Sequence, residues 1–267
     1  TDVRSAAIHR SLWDVGTRCI PEPLGMVPAF RMTLQHMVPG IPCLEALHAG
    51  VDPDTLGSAI AASLFRLHAA ALTPGRSWTL DDEVATLTER LLALRARLSE
   101  HDDAITSIQR TLAEVAAPLR QRAAQAVLHR DFYHDQALVD DSGTQCTIVD
   151  LDLVAAGDPA LDVGNFVGHL VELVWCGGVD ADRGLRLARG FAQAYGALAP
   201  TWAPDDAITR YACLTLGRLV EIAAHHDDRR AHIPALLAAL QERLARVGVG
   251  SVLELSLLTE GTPCAAA

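Results

Sequence analysis

The chain has 267 residues, half of them apolar, a net charge of −11, and all 22 of its positive charges on arginine. That is enough apolar material for one large core or two modest ones, and the acidic balance argues against nucleic acid, which is bound by clustered basic side chains. Six scattered cysteines (Cys19, Cys43, Cys146, Cys176, Cys213 and Cys264) without a C-x-x-C pair predict a reduced, cytoplasmic chain, and no apolar run reaches the roughly 20 residues that span a membrane.

Taken in chain order, residues 2–15 are predicted helical, Pro21 and Pro23 close that element, and two short extended stretches follow at 24–27 and 30–37 before Val38-Pro39-Gly40 breaks the pattern. From Asp54 the apolar spacing is helical, through Leu56, Ile60, Leu64, Leu67 and Ala71. Two more helices run from Val84 to Leu98 and from Ile105 to Leu119, with His101-Asp102-Asp103 as the turn of a helical hairpin. Their leucine stripes are core packing. Between 127 and 149 the period changes: Val127-Leu128, Ala137-Leu138-Val139 and Thr147-Ile148-Val149 are β-prone, and Asp140-Asp141-Ser142-Gly143 is a turn signal, which together predict a β-hairpin. Beyond Asp150, helices are expected at 159–175, 180–198, 205–225 and 231–247, with a frayed tail at 259–267.

The chemistry gathers around the hairpin. If its centre is Gly143, positions 136 and 150 lie opposite each other, so Gln136 meets Asp150; Asp131 lies on the loop leading in, and Asp152 follows two residues later. An amide oxygen and carboxylates converging on one spot are hard oxygen ligands that suit Mg²⁺ better than zinc. Phosphoryl transfer needs such parts, a metal to neutralise phosphates and a carboxylate to orient or deprotonate the attacking hydroxyl.

Three segments carry a resemblance. His129-Arg130-Asp131-Phe132-Tyr133-His134-Asp135-Gln136 resembles a kinase catalytic loop, Ile148-Val149-Asp150-Leu151-Asp152 its metal-binding segment, and Gly157-Asp158-Pro159-Ala160-Leu161-Asp162 the block that follows in the aminoglycoside phosphotransferase and choline kinase family. The likeness is sharp over 129–166 and extends in layout over roughly 2–225. It implies a protein-kinase-like α/β (α+β) fold, with a truncated small β lobe at 1–40 ending in a hinge and a mainly helical lobe at 41–267. It also implies an ATP- and Mg²⁺-dependent phosphotransferase acting on a hydroxyl of a small molecule such as an aminoglycoside, amino alcohol or sugar. Asp131 would be the catalytic base, Gln136 and Asp150 the Mg²⁺ ligands, and Asp152 a neighbour of the metal.

The chain also departs from the family pattern. Arg130 stands where small-molecule kinases usually carry glycine, and Gln136 replaces the usual asparagine, adding a methylene. The family's phosphate-covering loop and strand lysine would precede Thr1, no lysine occurs to replace it, and only Asp2 lies near the place of the glutamate that pairs with it. The chain alone is therefore expected to bind ATP poorly, and a non-catalytic pseudokinase or binding protein is the alternative reading.

Several residues have structural readings beside the functional ones. Asp158 before Pro159 suits a helix cap, Asp162 a hydrogen-bonded support of the loop, and His129 a buried scaffold, while Tyr133, His134 and Asp135 fit either a substrate or metal contact or a solvated loop. A zinc site built from His129, Asp131, His134, Asp150 and Asp152 is disfavoured, because the two histidines are five apart on a loop. His225-His226-Asp227-Asp228 reads as a polar helix end. Asp180, Asp182, Asp205, Asp206, Asp227 and Asp228 slightly favour a cationic acceptor, although acidic residues at helix starts also answer the macrodipole. Trp175 and Trp202 could stack on an acceptor or fill the core.

Overall fold

The computed structural model describes residues 3–225 and 229–246. Asp2, His226, Asp227, Asp228, Cys264 and the tail at 259–267 lie outside the described residues. Helix α1 (Val3–Asp14) is followed by an antiparallel pair, β1 (Pro23–Val27) and β2 (Met32–Gln35). The pair and its connecting turn expose much of their apolar surface, including Leu24, Met32 and Leu34 on the strands and Phe30 on the turn. Next come β3 (Ile41–Pro42), the six-residue α2 (Cys43–His48) and α3 (Pro53–His68). Helix α2 was not anticipated, because one and a half turns hold too few apolar positions to display a period.

Helices α4 (Leu80–Arg97) and α5 (Asp102–Ala116) form the expected helical hairpin. A single 3-10 turn at Ser99–His101 separates them, and Asp102 and Asp103 belong to the first turn of α5 rather than to the connection. The start of α4 lies four residues before the first periodic leucine-type position, at a capping box in which Thr79 and Asp82 bond each other's backbone amides. The remaining helices are α6 (Ala160–Trp175), α7 (Ala181–Leu198), α8 (Asp205–Ala223) and α9 (Ile233–Leu244), each within two or three residues of its predicted bounds.

The three β-prone runs do not form one sheet. β5 (Ala137–Val139) and β6 (Cys146–Ile148) make the predicted hairpin, with β3 on the outer side of β5. β4 (Ala126–Leu128) pairs instead with β7 (Ala155–Gly157), a strand of two alanines and a glycine that no β propensity signals. Its backbone is claimed from the other side as well, since Trp78 N donates to Ala156 O and Ala156 N donates to Arg76 O, both at 2.8 Å.

The hairpin register differs from the expected one by a residue. Asp140 Oδ1 accepts from Thr144 N and Gln145 N at 2.9 Å each, Gly143 N donates to Asp140 O, and Gly143 turns in the left-handed region (φ 70°). This turn centres between Ser142 and Gly143, pairing Ala137 with Ile148 and Val139 with Cys146. Position 136 therefore faces 149, with Val149 N donating to Gln136 O at 3.0 Å, and Asp150 lies one residue past its expected partner.

Helix α6 is the centre of the core, buried along nearly all its length between α7 and α8. No helix among the described residues is long and apolar enough to cross a membrane. The buried thiols of Cys19, Cys43 and Cys213 are pushed up by desolvation to about 11, 12 and 12, which makes them inert apolar filling. Close approach of α6 to α8 requires glycine at 164, where a Cβ would stand 2.4 Å from Tyr211 Cβ and 2.9 Å from Ala212 N. Gly164→Ala is expected to destabilise the fold by about 1–3 kcal/mol through overpacking, read as a lower urea midpoint with an unchanged slope.

Candidate active site

The segment from His129 to Gln136 leaves β4, crosses the face of α6 and enters β5. It is held at every step that matters to Asp131. Asp162, fully buried on the first turn of α6, accepts from His129 N and Arg130 N at 2.7 Å each. His129 itself is buried, and its Nε2 donates to Val149 O at 2.8 Å, tying the loop to the end of the β5–β6 hairpin. Phe132 is buried against Phe166, with ring centroids 5.4 Å apart, and its carbonyl accepts from Asn165 Nδ2 at 2.9 Å. Asp131 thus stands half-buried between an anchored amide and an anchored carbonyl.

Arg130 occupies the left-handed region (φ 76°), a conformation natural to glycine and costing a bulky residue about 1 kcal/mol or more. The usual glycine of the resembling family has this physical basis. Asp150 is also left-handed (φ 61°), which aspartate tolerates better.

Beyond Asp131, Tyr133 stacks on His169 at 4.8 Å, and His134 meets both rings edge-on. Burial, with the nearby carboxylates of Asp135, Asp131 and Asp150, pushes the Tyr133 phenol up, while a side-chain hydrogen bond with Gln136 opposes the rise. The same tyrosine therefore senses Asp131, Gln136 and Asp150, three of the four residues singled out in the sequence. Asp152 is the fourth, and its surroundings are different: its carbonyl accepts from Ser5 Oγ at 3.3 Å and its charge acts on His9 of α1. Burial holds His169 well below the usual histidine range, so its ring is neutral at pH 7. His134 is lowered by burial too, and donates from Nδ1 to Asp135 at 2.8 Å.

Among the described residues no three His, Cys, Asp or Glu side chains converge to form a metal cage. The donors present, an exposed carboxylate at Asp150 and a mostly buried amide at Gln136, fit a cation that arrives on phosphate oxygens and keeps its own waters, as Mg²⁺ does.

The supporting residues divide as their chemistry suggests. Asp158 accepts from Arg122 in bidentate fashion at 2.6 and 3.0 Å, from Tyr211 Oη, and from Ala160 N, so it anchors a part-buried arginine beside the start of α6; the N-cap itself is Pro159, one residue later than expected. Asp180 caps α7 by accepting from Arg183 N, and Asp182, Asp205 and Asp206 sit in first helical turns. Trp175 is core, and Trp202 packs on Phe65 at 5.8 Å. Sequence reasoning missed His68, Asn165, His169 and Glu172. The last three, with Asp162, fall three, four and three apart on an otherwise apolar α6, a polar stripe that could have been read as the helix face under the loop. His68 gave no such signal: its Nδ1 accepts from Tyr195 Oη at 2.6 Å, and its Nε2 donates to Asp162 at 3.0 Å, across elements far apart in sequence.

Asp162→Asn would turn an N–H toward a backbone N–H that now has a carboxylate oxygen. It is expected to cost about 3 kcal/mol and to lower the thermal midpoint by roughly 6–12 °C, measured by circular dichroism.

With this geometry in view, comparison with known proteins is specific. The model of the phosphotransferase enzyme family (APH) matches residues 18–208. No curated protein sequence gives a significant match. Solved structures with the same fold include a choline/ethanolamine kinase family protein from Mesorhizobium loti, 17% identical, covering 97% of this chain and 84% of that one with a TM-score of 0.58. A choline kinase from Cryptosporidium parvum is 12% identical, covering 97% and 81% with a TM-score of 0.60. The aminoglycoside phosphotransferase APH(3'')-Id from Streptomyces rimosus, in complex with ADP and streptomycin, is 20% identical, covering 80% and 81% with a TM-score of 0.54. These neighbours share the protein-kinase-like architecture, and because the family match runs through the segment 129–136, the Asp-x-Asp segment and the start of α6, the chain belongs to the phosphotransferase enzyme family.

Proposed function

We propose that the protein transfers the γ-phosphoryl group of ATP to a hydroxyl of a small molecule, with Asp131 as the base, Gln136 and Asp150 as the Mg²⁺ ligands and Asp152 beside them. The observation that carries this reading is the placement of Asp131, half-buried and fixed on both sides, on a segment that His129 ties to Val149, the residue before Asp150. Asp131 accepts the proton of the acceptor hydroxyl as its oxygen attacks the γ-phosphorus and ADP leaves. Bound Mg²⁺ supplies neutralisation of the phosphate charge.

The acidic residues singled out in the sequence for a cationic acceptor sit, among the described residues, at helix starts. The acidic residues at the starts of α7 and α8 serve helix ends, and Glu172, the carboxylate on the α6 stripe beyond His169, is paired with Arg229. The ring surface of Tyr133 and His169 favours an acceptor with a flat or sugar-like face over a polycation. A non-catalytic binding role is the second reading, favoured by the absence of lysine anywhere in the chain.

In the full-length gene product, Asp131→Asn is expected to lower turnover by roughly 10²-fold or more while leaving ATP affinity within about twofold, measured by coupled ADP release and calorimetry. Asp150→Ala is expected instead to remove the Mg²⁺-dependent part of ATP binding. Wild-type turnover in Asp131→Asn would refute the assigned role, and no ADP release across a panel of aminoglycosides, amino alcohols and sugars would favour the binding protein.

A further inference from the structure

Asp131 is flanked by Arg130 and Phe132, and a path of side-chain contacts leaves the loop at one of them and returns at the other. The Arg130 guanidinium lies 3.5 Å over the Trp78 ring. Trp78 Nε1 donates to Glu83 Oε2 at 3.0 Å, and Glu83 Oε1 accepts from Arg218 Nη1 at 3.4 Å. Arg218 Nη2 donates to Asn165 Oδ1, which also accepts from Thr215 Oγ1 at 3.2 Å, and Asn165 Nδ2 donates to Phe132 O. The path crosses the loop before α4, then α4, α8 and α6, and its midpoint is one carboxylate.

Three features separate this ring from ordinary packing. Glu83 and Asn165 are both buried, at 6% and 1% exposure, so each must satisfy its polar atoms inside the fold. Arg130 Nε and Nη1 are buried and have no hydrogen-bond partner among the described residues, so the stack on Trp78 is what orients the guanidinium. Arg130 also holds a left-handed backbone that its side chain disfavours. Glu83 restrains both arms at once, Trp78 and hence Arg130 through one oxygen, Arg218 and hence Asn165 through the other.

We propose that Glu83 is a positioning residue for the catalytic loop, holding the residues on either side of Asp131 through the Trp78–Arg130 stack and the Arg218–Asn165–Phe132 hydrogen bonds. The consequence for turnover rests on the reading of Asp131 as the base; the consequence for loop order does not.

The same α4–α8 seam contains a second ion pair, Arg90 with Glu221 at 3.1 Å, which does not lead to the loop and so serves as the control. The test compares Glu83→Gln, Trp78→Phe and Glu221→Gln with wild type in the full-length gene product, by amide hydrogen exchange and by steady-state kinetics. Glu83→Gln places an NH₂ against one of the two donors. Exchange at residues 130–133 is expected to rise roughly 10-fold or more while α6 amides stay unchanged, and kcat to fall roughly 10- to 100-fold at an unchanged KM for ATP. Trp78→Phe keeps a ring under Arg130 but loses the bond to Glu83, and should raise loop exchange by a smaller factor; it also carries the test if Glu83→Gln fails to fold. Glu221→Gln should leave loop exchange and kcat alone. Loop exchange unchanged in Glu83→Gln, or raised equally in Glu221→Gln, overturns the proposal. Loop exchange raised as expected in a protein whose wild type transfers no phosphate supports the ring and overturns only the catalytic reading of Asp131.

Discussion

The Asp162 carboxylate is the constraint on which the site depends. A fully buried negative charge is tolerable only when donors replace its water, and here the consecutive backbone amides of residues 129 and 130 and the imidazole of His68 do so. The dependence runs both ways. The loop's amides at 129 and 130, leaving β4 with no strand partner, need an acceptor, and α6 presents one at its first turn, where a carboxylate is also favoured by the helix dipole. Because Tyr195 of α7 completes the chain through His68 of α3, the loop is referenced to three helices rather than to its neighbours in sequence.

A second tie joins the two halves of the site. The buried His129 ring spends its Nε2 on Val149 O, so the segment carrying Asp131 and the segment carrying Asp150 share a contact beneath the site. The one-residue difference in hairpin register takes on meaning there. With 136 facing 149, the ladder ends on a backbone bond, and Asp150 is the first residue released from it, turning in the left-handed region. Had 136 faced 150, the ladder itself would have held that residue's backbone.

The face of α6 under the loop is polar in a helix otherwise made of core. Asp162 and Asn165 hold the loop, His169 supports Tyr133, and the buried Glu172 meets Arg229, so every polar group of the stripe is met by a partner inside the fold. Neutral histidine rings and a paired glutamate make this face a poor trap for a polycation.

The sequence by itself determined the elements with strong periodicity and the identity of the family. Long amphipathic stripes located α3 to α9 within a few residues, and the family was legible in the run from His129 to Asp162 because its motifs lie close together along contiguous chain. The structural parts of Asp162 and His129 were legible for the same reason. Short elements such as α2 and β7 were not, since a six-residue helix shows no period and Ala155-Ala156-Gly157 becomes a strand only because β4 and the backbone around Trp78 have unpaired groups to offer it. Only the tertiary structure decided that His68 meets Asp162 and that Glu83 lies between Trp78 and Arg218. Each of these is a meeting of side chains from elements that no local spacing relates, brought together by the burial of α6 and by the need of every polar group on its face for a partner.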